Sequence, residues 1–151
     1  MFNKGGITMN ILPTDLQILN TIYNQYYDKF KSFSKNDSDR SSKIFIPIDI
    51  TLIAKELEVD VDIIFGRLYY HLEQKYGYKR SKGAKVSFFT LQTGADKNCI
   101  NFPYMASVLA NLRDREKKHS TATNIAFFSL AIAGLSLLAS IVVSILVSKS
   151  G

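Results

Sequence analysis

The chain has 151 residues, with 19 Lys+Arg against 13 Asp+Glu for a formal net charge of +6, two histidines and one cysteine. That length suits one domain of ordinary size plus a short attachment. A lone cysteine, Cys99, excludes an internal disulfide and any multi-cysteine metal site and fits a reducing compartment, while the positive balance suits an anionic partner, nucleic acid or phospholipid, without choosing between them.

The first stretch, residues 1–12 (MFNKGGITMNIL), lacks the apolar run of a signal peptide and is expected to be disordered, with Met9 as an alternative start to Met1. Thr14 and Gln17 then fit a capping box opening a helix. Leu16, Leu19, Tyr23, Tyr26, Phe30 and Phe33 follow in alternating steps of three and four, which builds one core-facing stripe. Ser34 to Lys43 is polar and turn-rich and reads as an exposed loop, and Ile44 to Pro47 as a short strand.

Asp49 is placed to cap a helix carrying Leu52, Ile53 and Leu57. Asp60 is placed to cap another, with Val61, Ile64, Phe65, Leu68 and Leu72 on its inner face. A turn this tight makes two short helices cross steeply. A basic stretch from Lys75 to Lys85 comes next. Val86 to Leu91 and Cys99 to Phe102 are β-prone around TGADK, whose Gly94 and Asp96 suit a hairpin turn. Pro103 opens a last helix with Met105, Val108, Leu109 and Leu112 facing inward.

Helix, strand, helix, turn, helix and hairpin is the order of a winged-helix domain. From Asp49 to Leu72 the chain resembles the helix-turn-helix of that superfamily, through Ile53-Ala54, Leu57, Val59 in the turn, and Ile64 and Leu68 beyond it. The hairpin from Val86 to Phe102 stands where the wing would be. The resemblance implies an α+β fold of three helices plus a β-hairpin over residues 13–103, and does not fix function, because winged helices bind both DNA and proteins. Two features depart from the DNA-binding pattern. Glu58 occupies a turn position where glycine is common, and Asp60 and Asp62 open the helix that would approach the bases, where carboxylates meet phosphate charge. Both aspartates also suit a plain capping role.

Arg67, Lys75, Lys79, Arg80, Lys82 and Lys85 are the candidates for binding nucleic acid or anionic lipid, with Tyr76 and Tyr78 interleaved. A solvated basic loop would look the same.

Residues 104–123 read as a juxtamembrane helix and Asn124 to Val147 as a transmembrane one. Those 24 residues hold no charge, and at about 1.5 Å per residue they span roughly 36 Å, enough for a hydrocarbon core of about 30 Å. Arg113, Arg115, Lys117 and Lys118 precede the segment and only Lys149 follows it, so the N-terminal domain is expected on the cytoplasmic side and residues 148–151 on the far side. The Ile-, Lys- and Asn-rich usage leans toward a bacterial inner membrane. Ser129, Ala133, Ser136, Ser140 and Ser144 fall on one helical stripe, suited to close approach of a second helix and a homodimer; serine hydroxyls bonding back to their own helix give the same pattern.

His71 and His119 belong to no metal-ligand spacing, no phosphate-cradling glycine loop is present, and the pairs Asp37/Asp39 and Asp60/Asp62 fall in a loop and at a helix start. Neither an enzyme, a metal nor a cofactor is expected. The sequence therefore points to a single-pass, membrane-anchored interaction module that offers a basic surface to a protein or anionic lipid, with a membrane-tethered DNA-binding regulator as the alternative.

Overall fold

Helix α1 (Asp15–Lys31) starts at the capping box: Thr14 Oγ1 accepts the Gln17 N–H at 3.2 Å and Gln17 Oε1 accepts the Thr14 N–H at 2.8 Å. This computed structural model describes residues 12–34, 39–81 and 83–149, so residues 1–11, with both candidate starts, part of the polar loop, and Lys82 lie outside it. The buried face of α1 is formed by Ile18, Leu19, Ile22 and Tyr26. It is rotated from the expected stripe, because the aliphatic side chains take the centre and the aromatic ones its margin. There Tyr23 and Phe30 stack on Phe102, with ring centroids 5.6 and 5.0 Å away.

The polar loop is not exposed throughout. Arg40 is buried, donates to the carbonyls of Lys29 (2.8 Å), Ser42 (3.1 Å) and Phe30 (3.4 Å), and lies over the Phe33 ring at 4.8 Å. The last carbonyls of a helix lack partners along the helix, so a cation there satisfies them and complements the dipole.

Strand β1 (Phe45–Pro47) leads into α2 (Ile50–Glu56), which Asp49 caps by accepting the N–H groups of Thr51 and Leu52 at 2.9 and 3.1 Å. The Tyr26 hydroxyl accepts the Asp49 N–H at 2.7 Å and so ties the start of α2 to α1. Ile50, Ile53 and Ala54 are buried, whereas Leu52, expected inside, is exposed. The turn to α3 (Val61–Gly66) passes through Glu58 at φ 54°, a left-handed conformation that favours glycine. Asp60 accepts the Asp62 N–H at 2.8 Å and caps α3. The helix then widens into a π segment (Arg67–Leu72) and closes again as α4 (Glu73–Tyr76), with Ile64, Leu68 and Leu72 buried along its length.

The basic stretch forms a two-stranded sheet of its own, β2 (Tyr78–Lys79) against β3 (Lys85–Val86). Val86, expected in the following hairpin, belongs to it. That hairpin is β4 (Phe89–Thr93) and β5 (Asp96–Asn101), and β5 also pairs antiparallel with β1 to give the order β1-β5-β4. Gly94 at the turn has φ 58°, and a Cβ there would sit 2.6 Å from Ser41 Oγ. Ser41 also gives its N–H to Asp96 at 2.6 Å, and its Oγ accepts the Ala95 N–H at 3.2 Å, so the tip of the hairpin is fastened to the loop after α1.

Helix α5 (Phe102–Lys149) contributes Phe102, Met105, Val108 and Leu109 to the core. With Phe88, Phe89, Ile46, Ile100 and the buried faces of α1 to α3, these side chains form one apolar interior. Each is worth about 1.5–3 kcal/mol relative to exposure. The chain divides into two units, residues 1–110 and 111–151. In the second, the helix has a stretch of mean hydropathy 2.7 of which none is buried, and among the described residues it is the one helix long and apolar enough to cross a membrane. Ser129, Ser136, Ser140 and Ser144 donate their hydroxyls to the carbonyls of Ile125, Ile132, Ser136 and Ser140 at 2.9–3.0 Å. Ala133, the fifth member of the stripe, is exposed.

Candidate functional site

Asp15 sits in the first turn of α1, where the helix dipole already favours a carboxylate. It faces Arg67, His71 and Lys75, which are four residues apart along the widened helix. Arg67 pairs with Oδ1, while His71 Nε2 and Lys75 Nζ lie 3.4 and 3.3 Å from Oδ2. In an α-helix of 3.6 residues per turn, positions four apart drift around the axis, and the looser π turn lets them stay in line. Burial alone would raise the Asp15 carboxyl, but the Arg67 and Lys75 cations outweigh it and hold the group below its ordinary value of 3.8. Burial pulls the Lys75 ammonium down, but hydrogen bonding to Asp15 together with the charges of Asp15 and Tyr76 leaves it raised above its ordinary value.

Glu73 organises a second cluster. Its Oε2 accepts the N–H groups of Phe88 and Phe89 at 2.7 and 2.9 Å, and its Oε1 pairs with Lys85 Nζ at 2.9 Å. A carboxylate with two backbone donors and an ammonium is strongly held. It fixes the segment between β3 and β4 against α4. Gly77 permits this approach, since a Cβ there would come within 2.6 Å of the Glu73 carbonyl and 2.8 Å of its Oε1.

The six basic candidates are thus not equivalent. Arg67 and Lys75 share the single carboxylate of Asp15, which leaves that cluster one positive charge, and Lys85 is balanced by Glu73. Lys79 and Arg80 are exposed at the β2–β3 turn, and among the described residues no carboxylate lies within ion-pair distance of either. Lys82 lies in the same turn by sequence, outside the described residues.

Beside the turn lies an open groove of about 600 Å³. Tyr69, Tyr70 and Tyr78 form its aromatic wall, and Glu73, Lys79 and Lys85 are its charged members. Tyr70 is 67% exposed and meets the Phe65 and Tyr69 rings edge-on. Tyr78 is packed edge-on against Tyr104, whose hydroxyl donates to the Tyr76 carbonyl at 2.8 Å. Burial raises the Tyr104 hydroxyl above its usual value, which keeps it a donor.

Sequence reasoning missed Asp15, Glu73 and, of the tyrosine wall, Tyr69 and Tyr70, while it singled out Tyr78. The spacing of Arg67, His71 and Lys75 carried a signal for the first, since three basic groups on one helical line call for a carboxylate opposite. Nothing local marks Glu73, whose partners lie 15 and 16 residues along the chain. No group of three or more His, Cys, Asp or Glu side chains converges among the described residues. Cys99 is buried, and that burial raises its thiol, which makes it a poor nucleophile. What the groove offers chemically is an aromatic wall next to two unneutralised cations. Compared with protein-family models, curated proteins and solved structures, the chain matches none.

Proposed function

We propose that this chain is a non-enzymatic, membrane-anchored interaction module, built on a winged-helix scaffold, that presents a basic hairpin on the cytoplasmic side to an anionic protein or lipid. The observation that carries the proposal is the helix through residues 124–147, uncharged and wholly exposed. Such a surface is unfavourable in water and well matched to hydrocarbon. The cationic flank from Arg113 to Lys118 supports the cytoplasmic placement of the preceding domain.

The scaffold assignment is supported by the strand order β1-β5-β4, with α2 and α3 inserted between β1 and β4, and by the left-handed residue in the α2–α3 turn. The interaction module is favoured over a DNA-binding regulator by charge. Asp60 and Asp62 stand at the start of α3, and Arg67 and Lys75 further along are already paired with Asp15. Of the six basic candidates, Lys79 and Arg80 are the described ones without a carboxylate within ion-pair distance, a small set for a duplex.

Detergent-free lysis and ultracentrifugation of cells making the full chain tests the anchor. It should pellet with membranes and resist alkaline extraction, and recovery in the aqueous fraction would end the proposal. Duplex DNA titrated onto the detergent-solubilised chain across a salt series tests the partner class. Salt-sensitive binding lost in a Lys79→Ala, Arg80→Ala, Lys82→Ala variant would make the protein a tethered DNA-binding regulator instead.

A further inference from the structure

We infer that the groove between the π segment and the β2–β3 hairpin docks on the anionic headgroups of the bilayer that holds the chain, with Lys79 and Arg80 meeting phosphates and Tyr70 and Tyr78 lying at headgroup depth. The inference rests on the membrane-anchored reading and names the partner that reading leaves open. Three observations converge on it. Lys85, on the groove, is paired with Glu73, whereas Lys79 and Arg80, at the tip of one short hairpin beside it, have no carboxylate within ion-pair distance among the described residues. The tip is exposed, and Gly83 completes its turn at φ 81°. Flanking it are exposed tyrosines, whose apolar ring and polar end suit the boundary between water and lipid.

Contact number separates a bilayer from other anionic partners. A free polyanion such as a duplex is held by many simultaneous phosphate contacts, each releasing counterions. Two exposed cations, Lys79 and Arg80 among the described residues of the hairpin, make a weak site for a partner that must be captured from solution. They suffice for a surface to which the domain is covalently tethered, because tethering replaces capture by an effective concentration in the millimolar range. The segment 111–123 bounds the reach between the folded unit and the apolar span to about 45 Å even if fully extended.

The chain contains no tryptophan, so Tyr70→Trp installs a single fluorescent reporter at an exposed aromatic position of the groove. The full chain carrying it is reconstituted into vesicles of phosphatidylcholine alone, or with about one-third phosphatidylserine. Both contain lipid brominated near the headgroup in each leaflet. Quenching should be at least about twofold stronger in the anionic vesicles and fall to the neutral level in about 0.5 M salt, where charges are screened within a few ångströms. The same fall is expected when Lys79→Gln and Arg80→Gln are added, two exposed changes that leave the core untouched. Tyr78→Trp, examined in the same way, guards against a local disturbance at position 70. Equal quenching in the two lipids, or indifference to the double substitution, overturns the inference while the anchor stands. Failure of the chain to float with either vesicle removes the anchor and the inference together.

Discussion

In the folded unit Phe88, Phe89 and Phe102 are closed off from solvent, whereas Phe127 and Phe128 of the C-terminal helix stand 68% and 73% exposed. The side chains are the same and their surroundings are not. In the first unit charges recur every few residues, so each element keeps one face for water and turns the other inward. In the second no charged side chain lies between 124 and 147, and among the described residues none of the apolar stretch is buried. A mean hydropathy of +0.01 for the whole chain is therefore an average over two unlike populations of residues. The arrangement of apolar residues, more than their number, separates a core from a span.

The contrast can be broken most completely from the span. Leu135→Lys together with Leu138→Lys should abolish recovery in the membrane fraction, since each charge near a bilayer centre costs about 2.5–3.5 kcal/mol on insertion scales. The same change should leave the circular dichroism of the folded unit intact. Phe102→Ala attacks the other side. It removes a buried ring stacked on Tyr23 and Phe30 and should lower the unfolding free energy of the folded unit by about 3–5 kcal/mol in denaturant titrations, without releasing the chain from membranes.

Asp15→Asn is expected to have an intermediate effect, about 1–3 kcal/mol, because it leaves Arg67 and Lys75 facing each other without a carboxylate. Its signature is in the pH dependence. The folded-state carboxyl lies below the ordinary 3.8, so its stabilising contribution is complete above that value and is lost as pH falls through the folded-state value. Denaturation midpoints measured through the acid range should show that loss in the native chain, and Asp15→Asn should remove this part of it. The smallest effect has the opposite sign. Glu58→Gly relieves a left-handed backbone and should stabilise the folded unit by about 0.5–1 kcal/mol, visible as a higher midpoint; a lower one would mean that the Glu58 side chain contributes more than its backbone strain costs.

What could be read from the sequence was local. The Thr14–Gln17 cap, the aspartates ahead of α2 and α3, the strand before Asp49 and the uncharged span each depend on residues within a turn or two of one another. Glu58 stood out for the same reason, since a turn of that length requires one left-handed residue. The groove was not legible. Its shape depends on Glu73 holding the N–H groups of Phe88 and Phe89, and its charge on the same carboxylate pairing with Lys85, 12 residues along the chain. Composition counts basic residues; only the folded chain shows which of them share a carboxylate. Arg40 teaches the same lesson from the opposite direction, because a polar loop gives no hint that one of its side chains closes the end of the preceding helix.

The serines of the C-terminal helix have a consequence for how it would behave in oil. Each back-bonded hydroxyl brings its own acceptor, so none is left searching for a mate across the bilayer. What the stripe would offer a neighbour is slenderness, with the hydroxyl protons already given to its own helix. A lone helix of this kind is self-sufficient, and pairing would have to be driven by snug contact of backbones instead of by thirst for hydrogen bonds.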